Sequence, residues 1–387
     1  VNSFKDLFQL EPDVIFLNHG SYGATPRPVF EVYQEWQRRL ERQPVRFLQR
    51  EVSGYLKEAR ESLARYLNVS GDDLVFVPNA TFGVNIVANS LGLGEGDEVL
   101  TCDQEYGACD KTWTYRSKQK GFRYVKQPIP LPASSSQEIL EAFWQGVTPR
   151  TKVIYLSHIT SPTALILPIK EICAKARAEG IITVIDGAHA PGQLELDLAA
   201  IDADFYTGNC HKWMCSPKGA GFLYTRRDKQ AEIQPLVVSW GWQKEKKFSV
   251  GSAYLDTYDW LGTNDPSSYL SVPAAIAFQA EHDWAMVRKR CHDLLQKTLN
   301  DLNAVTGLET LYPPTSNLYA QLAVAALPNI GDPDAFKTWL YDKHRIEIPV
   351  TSHEGKSFLR ISVQAYNAES DLTSLVEAVG AMTKHTS

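Results

Sequence analysis

Short apolar runs alternate with longer amphipathic ones through the first two thirds of the chain. Leu74-Val75-Phe76-Val77, Glu98-Val99-Leu100-Thr101, Val153-Ile154-Tyr155-Leu156, residues 181–186, Asp204-Phe205-Tyr206-Thr207 and Gly221-Phe222-Leu223-Tyr224 have strand length and β-branched or aromatic character. Their apolar positions are continuous rather than alternating, the pattern of strands covered on both faces. Between them the spacing predicts helices over 81–91 and 169–179, the second closed by Gly180. Strands joined by helices argue for an α/β domain built on a mostly parallel sheet.

Beyond Pro266 that alternation stops. The pattern predicts one long helix over 274–303, a strand over 320–324, a helix over 334–343, strand-like runs over 346–350 and 358–362, and a last helix from Glu369. Strands that return without crossover helices predict a small α+β domain with an antiparallel sheet. The expected division is 1–265 for an N-terminal segment and large α/β domain, and 266–387 for the small C-terminal domain.

Composition changes this picture little. The 387 residues are 44% hydrophobic and 22% charged, with a formal net charge of -6. That balance offers no general attraction to nucleic acid or anionic membranes. The one basic cluster, Lys244-Glu245-Lys246-Lys247, is short and interrupted by acid, as in a solvated loop. Six cysteines without a C-x-x-C pair or zinc spacing make neither a disulfide framework nor a metal site, and point to a reducing, cytoplasmic home. The first residues, Val1-Asn2-Ser3-Phe4-Lys5-Asp6, carry no signal-peptide core, and Val1 in place of Met reads as a trimmed start. No run approaches the apolar length of a membrane span.

In open α/β sheets, ligands bind beyond the carboxyl ends of the strands. The residues that fall there are Asn79-Ala80-Thr81, Gln104-Glu105-Tyr106, Ser157-His158, Asp186-Gly187-Ala188-His189 and Asn209-Cys210-His211-Lys212-Trp213. Backbone N–H groups and the Thr81 hydroxyl at a helix start suit a phosphate. A lysine and a carboxylate at such ends are what pyridoxal phosphate requires, one as its Schiff-base partner and one to keep the ring nitrogen protonated.

Asp186-Gly187-Ala188-His189 followed by His211-Lys212-Trp213 resembles the class V aminotransferase family, fold-type I pyridoxal 5'-phosphate enzymes. Leu17-Asn18-His19-Gly20-Ser21-Tyr22-Gly23 and His158-Ile159-Thr160-Ser161-Pro162-Thr163 are similar to its isopenicillin N epimerase branch. The resemblance runs from about Leu17 to Asn367. It implies that Lys212 holds the cofactor and shuttles the Cα proton, that Asp186 pairs the pyridinium, and that Tyr106 stacks on the ring. It implies that His189 hydrogen-bonds the phenolic oxygen, with His158 near that oxygen or the substrate carboxylate. Ala80, Thr81 and Asn209 would bind the phosphate, with Thr263 reaching in from a neighbouring subunit of a homodimer. Arg360 in Leu359-Arg360-Ile361-Ser362 would grip the substrate carboxylate, with Asn18 also on the substrate side.

Each residue also has a plainer reading. Lys212 could be a surface lysine, Asp186 a turn cap, His158 and His189 satisfied core histidines, Tyr106 a packed ring, and Arg360 a structural ion-pair partner. The expected activity is epimerisation of an amino acid at Cα, the alternative being β-elimination by a C–S lyase; a transaminase is a third outcome. A persulfide-forming desulfurase is disfavoured, because no cysteine follows Cys291. A nucleotide-binding oxidoreductase would want G-x-G-x-x-G after an early strand, and Gly92-Leu93-Gly94-Glu95-Gly96 ends a helix instead.

Overall fold

A computed structural model describes residues 4–246, 249–313 and 316–386; the first three residues and Lys247 of the basic cluster lie outside them. Seven strands make the central sheet: β1 (Leu74–Val77), β2 (Glu98–Cys102), β3 (Arg123–Gln127), β4 (Thr151–Ser157), β5 (Ile182–Gly187), β6 (Phe205–Asn209) and β7 (Gly221–Thr225). Their spatial order is β1-β7-β6-β5-β4-β2-β3. Pairing is parallel from β3 through β6, and β7 runs antiparallel to both its neighbours.

The unbroken apolar strands follow from two separate cores. Val75, Val77, Val99, Val153, Tyr155, Val184, Phe205 and Leu223 pack on one face. Leu74, Phe76, Leu100, Cys102, Ile154, Leu156, Ile185, Tyr206 and Phe222 pack on the other. Successive side chains point to opposite faces, so a strand covered on both sides has no polar position to spare.

The C-terminal region forms a three-stranded antiparallel sheet of β8 (Leu322–Ala326), β9 (Val350–His353) and β10 (Lys356–Ser362), with β10 in the middle. The long helix expected over 274–303 is two helices, Val272–Glu281 and Trp284–Thr306. Asp283 breaks it: its φ is 45°, and its carboxylate caps the second helix by accepting from the Met286 N–H. The 346–350 run is shorter than expected. Ile346–Glu347 pairs parallel to Ile15–Phe16, and Val350 already belongs to β9, so Ile348 and Pro349 divide the run between two sheets. That pairing, continued by Leu17 N–H to Glu347 O (3.0 Å) and Ser362 N–H to Leu17 O (3.0 Å), lays the N-terminal segment on the C-terminal sheet. No helix among the described residues is long and apolar enough to cross a membrane.

Candidate active site

A cavity of about 330 Å³ opens beyond the carboxyl ends of β4, β5 and β6. Its lining includes Ser21, Tyr22, Ala80, Thr81, Tyr106, Ser157, Ser161, Asp186, His189, Asn209, His211 and Lys212. Residues from five strand ends and the N-terminal segment therefore meet in one place.

Asp186 is buried at the end of β5. Its carboxylate accepts from Ala188 N–H (2.9 Å), Cys109 Sγ (3.4 Å) and the Tyr155 hydroxyl (3.4 Å). Burial raises its pKa, and these donors together with Lys212 act against that rise. Cys109 and Tyr155 were not legible as partners of Asp186. Tyr155 sits inside an apolar strand, and Cys109 lies one turn into the helix Gly107–Lys120.

Lys212 follows β6, and its amine is pushed down to about 8, first by burial and then by the nearby Arg360 charge. Its Nζ lies 3.2 Å from His189 Nε2. His189 is held neutral by burial, with Lys212 adding to the effect. His211 reaches the same cavity, and its Nδ1 lies 2.9 Å from the Ala220 carbonyl.

The start of the helix Ala80–Ser90 faces the cavity. Asn79 caps it, its side chain accepting from Phe82 N–H (2.9 Å), and Ala80 N–H donates to Asn209 Oδ1 (2.8 Å). Thr81 N–H and the Thr81 hydroxyl have no hydrogen-bond partner among the described residues, which leaves two donors for an anion at a helix N-terminus. Gly83 allows this approach: a Cβ there would stand 2.2 Å from Thr207 Oγ on β6.

Arg360, on β10, is buried behind Ser21 and Ser161. It donates from Nη2 to Ser21 Oγ (3.0 Å) and from Nη1 to Ser161 Oγ and the Ser161 carbonyl (both 3.0 Å). Its Nε has no partner, and no carboxylate pairs with it among the described residues. A buried guanidinium held only by neutral groups is ready for an anion. The structural ion-pair reading of Arg360 therefore falls away. Ser21 and Ser161, which sequence reasoning passed over, hold its two ends.

Three expected residues stand elsewhere. His158 is turned from the cavity, with Nδ1 2.9 Å from the Tyr206 hydroxyl. Ser157, Ile159 and Ser161 take the cavity-facing positions, and alternation sends His158 the other way. Asn18 does not line the cavity: it accepts from Ser21 Oγ and donates to Glu347 Oε1 (2.9 Å), so it reaches Arg360 only through Ser21. Thr263 lies in the segment following the helix Ala253–Asp259, outside the lining of this chain's cavity.

This set fits pyridoxal phosphate. Thr81 offers free donors for the phosphate, Asp186 a buried carboxylate for the ring nitrogen, Lys212 an amine of lowered pKa for the aldehyde and Arg360 an unpaired cation for a substrate carboxylate.

Comparison with known proteins agrees. The class-V aminotransferase family model matches residues 15–375. Isopenicillin N epimerase of Amycolatopsis lactamdurans is 36% identical over 391 residues, covering 98% of each chain. A probable chloroplastic L-cysteine desulfhydrase of Arabidopsis thaliana is 29% identical, covering 97% of this chain and 84% of its own. Among solved structures, a C-DES mutant with glycine covalently linked to its pyridoxal-phosphate cofactor superposes with a TM-score of 0.82 at 22% identity, covering 95% of this chain and 97% of that one. With the family model spanning almost the whole chain and Thr81, Asp186 and Lys212 gathered in one cavity, this protein belongs to the class-V aminotransferases, a family of pyridoxal-phosphate-dependent enzymes.

Proposed function

We propose that the protein is an amino-acid epimerase that inverts Cα of a small substrate. The observation that carries this reading is the shared cavity of Lys212 and Tyr106, with the unpaired Arg360 behind it. Pyridoxal phosphate, when bound, supplies the electron sink that acidifies the Cα hydrogen. Lys212, whose amine is lowered to about 8 and so gives up its charge far more readily than an ordinary lysine, takes that proton. Inversion needs a second proton carrier. Tyr106 lines the cavity, and its hydroxyl, held above the usual tyrosine pKa chiefly by burial, is protonated at neutral pH and can return one. Arg360, set by Ser21 and Ser161, fixes the substrate carboxylate. Similarity to the isopenicillin N epimerase supports the assignment.

C–S cleavage is the second reading, because loss of a β-sulfur substituent after the same deprotonation needs Lys212 but no second carrier. The similarity to the plant desulfhydrase favours it. Transfer through an enzyme persulfide has no support: all six cysteines are buried, and none follows Cys291. We place the enzyme in the cytoplasm as a homodimer, with Thr263 of one copy completing the phosphate site of the other.

Product analysis in D₂O tests the assignment. An epimerase returns both configurations of the amino acid with deuterium at Cα. Pyruvate with sulfide from cysteine, or pyruvate with cysteine persulfide from cystine, with no inverted product from any amino acid tried, would replace it by the lyase. Loss of inversion in Tyr106→Phe, with Cα exchange retained, is expected if Tyr106 is the second carrier.

A further inference from the structure

We infer that Trp213 is a positioning residue that fixes His189 in one tautomer, with the proton on Nε2 and aimed at Lys212. The indole Nε1–H lies 3.2 Å from His189 Nδ1, and an indole nitrogen only donates. His189 Nδ1 must then carry a lone pair and no proton. A cationic ring would set two N–H groups against each other, so the imidazole stays neutral and its one proton sits on Nε2. Nε2 lies 3.2 Å from Lys212 Nζ. The ring therefore presents a donor to the reacting amine, and in the loaded enzyme to whatever acceptor takes its place.

The indole is itself pinned. Trp213 is fully buried, its carbonyl accepts from Gln279 Nε2 (3.0 Å), and the His19 ring lies 5.0 Å from it. From the other side, the turn after His189 presses on the Trp213 backbone at Gly192, whose φ is 87° and where a Cβ would stand 2.3 Å from the Trp213 carbonyl. The His189 carbonyl is tied by Gln193 Nε2 (2.8 Å). The backbones that carry both rings are thus held by their neighbours, with Trp213 Nε1–H facing His189 Nδ1. The residue beside the lysine thus sets the protonation of a third residue that faces the lysine.

The test begins with the wild-type, cofactor-free protein at pH 9, where the Lys212 amine is largely neutral and can accept from Nε2–H, labelled with 15N-histidine and studied by solid-state NMR, with His189→Gln used to assign the resonance. A bare Nδ1 and protonated Nε2 are expected; a protonated Nδ1 would overturn the inference without any variant having to fold. In Trp213→Phe, which keeps an aromatic ring and removes the N–H, the two tautomers should mix, and an unchanged spectrum would refute the lock. This readout does not depend on the proposed epimerase reading. Kinetics on the holoenzyme rest on that reading. Trp213→Phe should lower kcat by about 10- to 100-fold, by analogy with the loss seen when the hydrogen-bond partner of a metal-ligating histidine is removed, with KM little changed. In a His189→Gln background, where no tautomer remains to be chosen, the same change should add almost nothing. An equal further loss there would show that Trp213 only packs.

Discussion

At the scale of single residues, the site is an arrangement of groups left unsatisfied on purpose. Arg360 shows this best: it is a buried cation held by two serines, and its pKa is lowered to about 10, mainly by burial. Arg360→Lys keeps the charge but loses the planar fork, and removes hydrogen bonds of the charged kind, each contributing about 1.5–3 kcal/mol. We expect kcat/KM to fall roughly 10- to 100-fold, mostly through KM. An unchanged KM in steady-state assays would mean that the carboxylate sits elsewhere. Lys212 has a pH signature. With its pKa near 8, the fraction of nucleophilic amine rises as pH increases through 8 and is nearly complete by 9. The rate at which cofactor-free protein takes up pyridoxal phosphate should follow that curve, whereas a climb continuing to about pH 10.4 would mark an ordinary lysine. Lys212, Asp186 and Arg360 were legible because each stands at a strand end or in a short motif. Ser21, Ser161, Cys109 and Tyr155 were not, because nothing local in the chain says which buried group a hydroxyl or thiol will face.

At the scale of elements, the helix Ala80–Ser90 and β6 act as one unit. Asn209 at the end of β6 accepts from the Ala80 N–H, and Gly83 brings the helix against Thr207. Gly83→Ala would force the helix off the strand, at about 1–3 kcal/mol for overpacking. The expected result is a lower Tm together with weaker pyridoxal-phosphate binding by fluorescence titration. A loss of stability with unchanged cofactor affinity would separate the helix from the phosphate site. Strand positions in the central sheet were readable because burial on both faces leaves a run of apolar residues. β3 was missed, since Arg123-Tyr124-Val125-Lys126-Gln127 is an edge strand with two exposed residues and carries no such run. The break at Asp283 was missed for another reason: the helical periodicity continues through it, and only a left-handed φ and an N-cap reveal the stop.

At the scale of the whole molecule, the N-terminal segment and the C-terminal sheet close over the central sheet and bring Ser21 and Arg360 to strand ends more than a hundred residues away. The buried histidines of this assembly set its acid limit. His19 is lowered to about 3, and His158 and His211 to about 4, each first by burial, with His189 also shifted down. Below pH 6.5 the unfolded chain binds protons that the folded state refuses, so these groups make stability fall as pH drops toward 4. Glu105, raised to about 7 by burial, acts in the opposite sense between about 7 and 4.5, and Asp73, Asp186 and Asp259, also raised by burial, act with it against the four histidines. Tm should fall as the pH goes from 6.5 to 4.5. In His158→Gln, which keeps a polar side chain beside Tyr206 and does not touch the cavity, the fall should be shallower, and an identical slope would remove His158 from the account. Lys212 is proposed to hold the cofactor. The most direct measurement is borohydride reduction of the protein loaded with pyridoxal phosphate, followed by peptide mass mapping. A pyridoxyl group on Lys212, absent from Lys212→Ala, is the expected result. Label on another lysine, or on none, would contradict it.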